Sequence, residues 1–169
     1  SWTAFERFIE QGIYKLIAPC EFTLPTVNLE ELINLYNPIY PWIIYVGLLP
    51  DISNLPLTKS EKKIVDDYKK ILNQVQNDKI ISDFEIYKNF EGVNLETVLM
   101  YATVNTEVAT RYLDILRHIK LEITGKDLQN LGIPPSSKYS EIFDCVLKEK
   151  LKNPELSKFE EIELAKKFL

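Results

Sequence analysis

Residues 123–138 read ITGKDLQNLGIPPSSK and carry the most specific structural signals in the chain. Thr124 and Asp127 stand three residues apart, the spacing at which each side chain can accept a hydrogen bond from the other residue's backbone N–H at the start of a helix. Gly132 can supply the left-handed residue that ends such a helix, and the following Pro134–Pro135 pair stiffens the turn. The segment therefore predicts a short capped helix and a rigid turn.

A second helix is predicted to begin near Ser137. The first amides of a helix have no partner within it and lie at the positive end of its dipole, so they suit a phosphate oxygen. Two neighbouring helix starts would hold a polynucleotide backbone without reading its bases. The candidate contacts are Thr124, Gly125 and Lys126 at the first start, Gly132 in the turn, Ser136, Ser137 and Lys138 at the second start, and Arg111, Arg117 and Lys120 as secondary candidates. The same pattern is also ordinary helix punctuation, and the residues alone leave both readings open.

Other capping signals extend the helical prediction to the rest of the chain. A hydroxyl residue precedes a glutamate by three positions at Thr58–Glu61, Ser82–Glu85 and Ser157–Glu160. Only 5 glycines occur in 169 residues, whereas β-rich folds and glycine-rich phosphate loops need many positive-φ positions. The predicted fold class is all-α, a stack of short helices.

The composition limits the possible partners. The net charge of −5 argues against a general nucleic-acid binder, so any RNA contact must be local. Residues 105–152 carry one more basic than acidic side chain, which directs a polyanion to the later part of the chain. The longest apolar run, residues 39–49, is about half of the ~20 residues that span a bilayer, so no membrane partner is expected and we expect a cytoplasmic location.

No catalytic or metal site is predicted. Cys20 and Cys145 form no C-x-x-C pair and are expected to be reduced, buried thiols. His118 is the only histidine and is expected on a helix surface. The acidic pairs 66–67 and 160–161 diverge by about 100° on a helix, which predicts solvated faces rather than metal ligands.

The segment after Leu121 resembles the tail signature of bacterial class II tRNA nucleotidyltransferases and the related poly(A) polymerases. That family pattern runs roughly I-T-G-x-D-L, then L-G-hydrophobic-x-P-G, then a helix. The residues that carry the likeness are Ile123 to Leu128, Leu131 to Ile133, Pro135, Ile142 and Leu151. Where the family commonly has Pro-Gly-Pro, this chain has Pro135-Ser136-Ser137. More weakly, residues 5–19 resemble the end of the family's neck, and residues 87–119 resemble its body helices.

The resemblance implies a helical body over residues 1–104, with the end of the neck at 1–19, and a tRNA-binding tail over residues 105–169. The family's head domain holds Mg²⁺ and CTP or ATP, but no Gly-Ser or Asp-x-Asp motif occurs here. A cofactor is therefore expected only outside this chain, in a parent protein that adds CCA or A to RNA 3′ ends. The implied partners are the tRNA backbone and the protein's own head and neck, which we expect to pack on Trp2 and Phe5.

Two other functional classes remain open. One is a helical protein-interaction scaffold that docks its own head domain or forms a homodimer, and self-association without RNA binding favours it. An independent enzyme predicts a bound metal or cofactor, which elemental analysis of the purified protein would detect.

Overall fold

A computed structural model describes residues 1–75 and 82–169. Within these residues there are ten α-helices and no β-strand, which confirms the all-α prediction. The helices are α1 Trp2–Glu10, α2 Glu30–Tyr36, α3 Pro41–Val46, α4 Lys59–Val75, α5 Asp83–Phe90, α6 Leu95–Tyr101, α7 Thr106–Asp114, α8 Gly125–Asn130, α9 Lys138–Lys152 and α10 Lys158–Ala165. Short 3₁₀ helices occupy Ile13–Leu16, Leu116–His118 and Lys166–Phe168.

The described residues divide into two compact units. The first contains residues 1–75 and 90–111, and the second contains residues 82–89 and 112–169. Each unit has its own buried apolar residues, and each is described separately below. The assignment of residues 1–104 to a body and 105–169 to a tail stays a prediction.

The core of the first unit forms where α3, α4 and α6 pack together. Gly47 ends α3 at the closest approach, because a Cβ atom there would lie 2.6 Å from Cε of Met100 and 3.1 Å from Cγ2 of Val65. The Thr97 hydroxyl donates to the Ile64 carbonyl at 2.9 Å, so a polar side chain in α6 is satisfied by the backbone of α4. A side chain at position 47 would therefore require Met100 and its neighbours to shift.

Aromatic side chains near the start of the chain belong to this unit's interior. Trp2 and Phe5 are 7% and 6% exposed, and their rings lie 6.3 Å and 5.5 Å from that of Tyr45. The expectation that Trp2 and Phe5 form an exposed docking surface is wrong, because the apolar stripe of α1 packs on its own unit.

The core of the second unit brings α8, α9 and α10 together. Its buried members come from α8, from the residues on either side of α8, and from α9 and α10. They are Ile123, Leu128, Ile133, Ile142, Val146 and Ala165. α8 and α9 are consequently held on one hydrophobic cluster, which fixes the region that the sequence singles out.

The predicted caps are largely confirmed. Glu61, Glu85 and Glu160 each accept a 2.8 Å hydrogen bond from the backbone N–H of the hydroxyl residue three positions earlier. The thiol prediction is wrong about burial, since Cys20 is exposed and Cys145 is half-buried. None of the helices in residues 1–75 and 82–169 combines the length and apolarity needed to cross a bilayer.

Candidate nucleic-acid interface

The start of α8 carries the predicted capping box. Thr124 N and Oγ1 donate to Oδ2 of Asp127 at 2.8 Å and 2.6 Å, and Asp127 N donates back to Thr124 Oγ1 at 3.4 Å. The amides of Thr124 and Asp127 are therefore occupied. The amides of Gly125 and Lys126 have no acceptor within the described residues, as the geometry of a first helical turn requires. Two of the amides expected to be open to a ligand are thus available.

Asp127 is also tied to α10. Its Oδ1 atom lies 3.0 Å from Nζ of Lys158, while Oδ2 serves the cap. The hydrogen bond from the Thr124 side chain, followed by those from Lys158 and from the Thr124 backbone, lowers the pKa of Asp127 from 3.8 to about 2. At neutral pH this carboxylate is therefore ionised. Both of its oxygens already have partners, so it is not a free acid or metal ligand.

A buried ion pair fixes the backbone directly before α8. Glu161 is 0% exposed, and its Oε2 accepts from the amides of Glu122 and Ile123 at 2.8 Å and 2.7 Å. Lys150 Nζ lies 3.0 Å from Glu161 Oε1 and 3.5 Å from Glu122 Oε1, and it donates to the Leu156 carbonyl. Oε1 of Glu161 is paired by charge but receives no aligned hydrogen bond. The expectation of a solvated face at residues 160–161 is wrong for Glu161.

The charge of Lys150 depends on these neighbours. Burial alone would lower its pKa, but the close contact and charge of Glu161, with a smaller contribution from Glu122, outweigh burial and raise the pKa of Lys150 above 10.5. Lys150 therefore remains protonated in the neutral range, and the Glu161 carboxylate beside it holds the 122–123 backbone through two hydrogen bonds.

The turn after α8 has the predicted left-handed glycine. Gly132 has a φ of 84°, and its N–H donates to the Gln129 carbonyl at 2.9 Å. Ile133 N donates to the Leu128 carbonyl at 3.1 Å, which completes a Schellman motif. An L side chain would be strained at this φ, so it is the glycine that allows the chain to reverse here.

The start of α9 differs from the expectation of open amides. Ser136 Oγ accepts from Lys138 N at 3.3 Å, and the carbonyls of Ser136 and Ser137 accept from Tyr139 N and Ser140 N at 3.1 Å and 3.2 Å. The Ser137 side chain makes no cap. The hydroxyl two residues before the helix therefore takes the place of a ligand at the first amide. What remains exposed at this start is the ammonium of Lys138 and the two serine hydroxyls.

Tyr139 joins the two helix starts, although no local sequence motif marks it. A Cβ atom on Gly125 would lie 3.5 Å from Cε2 of the Tyr139 ring, so the start of α8 rests on this side chain. The Tyr139 hydroxyl donates to the Ile133 carbonyl at 2.8 Å, and its ring meets that of Phe143 edge to face at 6.2 Å. One half-buried tyrosine thus contacts the first helix start and the turn while it stands in the second.

The structure brings together some of the predicted site residues and leaves others elsewhere. Thr124 to Lys126 and Ser136 to Lys138 are adjacent through Tyr139, and Lys126 and Lys138 are exposed. Arg117 and Lys120 are exposed in the segment between α7 and α8, and Arg111 belongs to the first unit. Among the described residues, no group of three or more His, Cys, Asp or Glu side chains could hold a metal ion.

Comparisons with known proteins agree with the family likeness in part. Over 86 residues the chain is 34% identical to an A-adding tRNA nucleotidyltransferase from Geobacter sulfurreducens. This match covers 48% of the present chain and spans 10% of the length of that protein. No family model matches, and no solved structure is significantly similar. The chain therefore shows a family-level resemblance to tRNA nucleotidyltransferases.

Proposed function

We propose that this chain is a tRNA-binding part of a protein related to tRNA nucleotidyltransferases, and that the adjacent starts of α8 and α9 hold the RNA backbone. The observation that carries the proposal is the 34% identity over 86 residues with the A-adding tRNA nucleotidyltransferase. The geometry supports it, because Tyr139 keeps the two helix starts together and both carry an exposed lysine.

The contacts that we propose differ from a grip made of bare helix amides. At the start of α8, the amides of Gly125 and Lys126 would donate to a phosphate together with the Lys126 ammonium. At the start of α9, the donors would be the Lys138 ammonium and the hydroxyl of Ser136, whose oxygen already accepts from a backbone N–H and whose proton is left to donate. Such contacts position a backbone and carry no base information.

In this proposal the chemistry takes place in another part of the protein. The resemblance implies a head domain with Mg²⁺ and CTP or ATP that adds A, or CCA, to an RNA 3′ end. This chain would hold the tRNA and pack on its own head and neck. Its acidic side chains near the interface, Asp127 and Glu161, serve structural ion pairs.

The proposal is tested by exchanging one charge at the interface. Lys138→Glu should weaken binding to tRNA whatever its sequence, and should reduce the dependence of log K on log salt by about one phosphate contact. The matched control is Lys59→Glu, which makes the same charge change at the exposed first residue of α4 in the first unit. A fluorescence titration with labelled tRNA at several salt concentrations measures both. Equal affinities and slopes for the two variants would remove Lys138 from the interface, and no binding by the unaltered chain would refute the proposal.

A second candidate function, a protein-interaction or dimerisation surface, is favoured by apolar side chains left exposed in the first unit. Leu35 is 70% exposed and Ile39 is 82% exposed, at the end of α2 and just before α3. Light scattering after size exclusion distinguishes the two functions. A dimer that Ile39→Glu dissociates and Val104→Glu leaves intact, without tRNA binding, supports the scaffold.

A further inference from the structure

A groove with a volume of about 460 Å³ lies in the second unit, apart from the starts of α8 and α9. Its walls come from the segment that follows α7 and from the end of α9 and the residues after it. Its lining includes Ile115, His118, Ile119, Lys120, Lys150 and Pro154. Neither capped helix start contributes to the lining, so the groove needs its own explanation.

Two apolar side chains of the groove lining, one from each segment, are open to solvent. Ile115 is 46% exposed although it is a large aliphatic side chain, and Pro154 is exposed as well. Ile119 also belongs to the lining and is 8% exposed. An apolar slot bordered by a few polar groups is the usual form of a site for a flat organic ligand.

The polar groups at the border are suited to a nucleotide. Arg117 Nε donates to Nε2 of His118 at 3.2 Å, and this contact holds the imidazole ring in place. The ring can then stack on a base, as histidine does in sites for unpaired RNA. Lys120 is exposed and supplies a positive charge for a phosphate.

Lys150 contributes its shape rather than its charge. Its ammonium is already shared between Glu161, Glu122 and the Leu156 carbonyl, so only its aliphatic stem is available to the groove. The charge that an anion would meet is therefore that of Lys120. A phosphate would therefore lie beside Lys120, and the base would lie beside the apolar side chains of Ile115 and Pro154.

We propose that this groove binds one unpaired nucleotide of an RNA, with the base between Ile115, His118 and Pro154 and the phosphate on Lys120. The inference rests on the proposed RNA-binding function and adds to it a contact that depends on a base being out of its helix. Because stacking accepts any base, the groove would recognise an unpaired position rather than a sequence.

The test uses AMP and the single histidine of the chain, whose ring signals in an NMR spectrum need no assignment. AMP should shift the His118 ring signals and saturate, while adenosine and inorganic phosphate should each shift them less. Lys120→Gln should weaken AMP binding by about threefold, the size of one exposed charge contact. Ile115→Ser should weaken both AMP and adenosine, and Lys166→Gln is the control outside the groove.

The outcomes separate this inference from the proposed function. No shift with AMP, or an equal shift with phosphate alone, would overturn the nucleotide site even if Lys138→Glu impairs tRNA binding. A saturable shift that Ile115→Ser abolishes supports the site. Thermal unfolding of each variant checks that weaker AMP binding comes from the altered side chain and not from loss of the fold.

Discussion

The side of Gly125 that would carry a Cβ atom faces the ring of Tyr139, with 3.5 Å between that position and Cε2. This contact places the first residue of α8 on the second residue of α9. It explains how a segment with little regular structure between the two helices can hold their starts together. The hydroxyl of the same ring secures the turn through the Ile133 carbonyl.

The first prediction concerns the two functions of Tyr139. Tyr139→Phe keeps the ring but leaves the Ile133 carbonyl without its donor, so we expect a loss of about 1 kcal/mol in the free energy of unfolding. Tyr139→Ala also removes the contacts with Gly125 and Phe143, so its loss should be about 2 kcal/mol or more. Urea unfolding of both variants measures the difference. Equal losses would show that the ring contact contributes nothing.

The second prediction contrasts two glycines of the same segment. Gly125→Ala places a methyl group at an ordinary contact distance in the first turn of a helix. The free energy of unfolding should therefore rise, or fall by less than about 1 kcal/mol. Gly132→Ala forces an L side chain to a φ of 84° and should cost about 1–2 kcal/mol. Thermal and urea unfolding of the two variants provide the comparison, and Gly132→Asn should recover part of the loss.

The third prediction concerns the buried pair of Lys150 and Glu161. Glu161→Gln leaves a buried ammonium with reduced compensation, so we expect a loss of about 3–5 kcal/mol. The double variant Lys150→Met with Glu161→Gln should be more stable than the single one, because it removes the buried ammonium that Glu161→Gln leaves without a carboxylate partner.

A double-mutant cycle measures this coupling. The matched control is the exposed pair Lys166 and Glu163, whose coupling should stay below about 1 kcal/mol. If the two cycles gave the same value, Glu161 would not act as a buried charge.

The fourth prediction follows from the pKa of Asp127, which is lowered in the folded chain from 3.8 to about 2. A carboxyl whose folded pKa lies below its unfolded pKa stabilises the fold above the unfolded value, and this contribution is lost as the pH falls from about 4 to about 2. Asp127→Asn should be less stable at pH 7 and should show a flatter decline in this range. Thr124→Ala removes the main cause of the shift and should flatten the decline as well. Urea unfolding between pH 5 and pH 2 tests both variants.

Capping signals could be read from the sequence because they are complete within one helical turn. Thr124 and Asp127 need only each other and their own backbone, so tertiary packing has little to change, and the same holds for Ser157 and Glu160. The Gly132 turn is predictable for the same reason. The exception is Ser136. Its hydroxyl accepts from the Lys138 amide, which was predicted to be open to a phosphate.

Interactions between distant residues were not accessible in this way. The sequence shows Glu160 and Glu161 as neighbours of the same type, yet only Glu161 is buried. Its partners are Lys150 and the amides before α8, and no local pattern joins them. The contacts of Tyr139 could not be predicted either, because they depend on where Gly125 and Ile133 lie in space. The groove beside His118 depends on Pro154 from a separate segment.

The order of synthesis gives the Glu161 carboxylate a further significance. It accepts from the Glu122 amide across 39 residues of chain, so the earlier segment is synthesised before its acceptor exists. Until α10 has been made, the 122–123 backbone must rely on water, and Glu122 and the Leu156 carbonyl are the partners left to the ammonium of Lys150. Loss of α10 by proteolysis would therefore loosen a part of the chain that the cut itself does not touch.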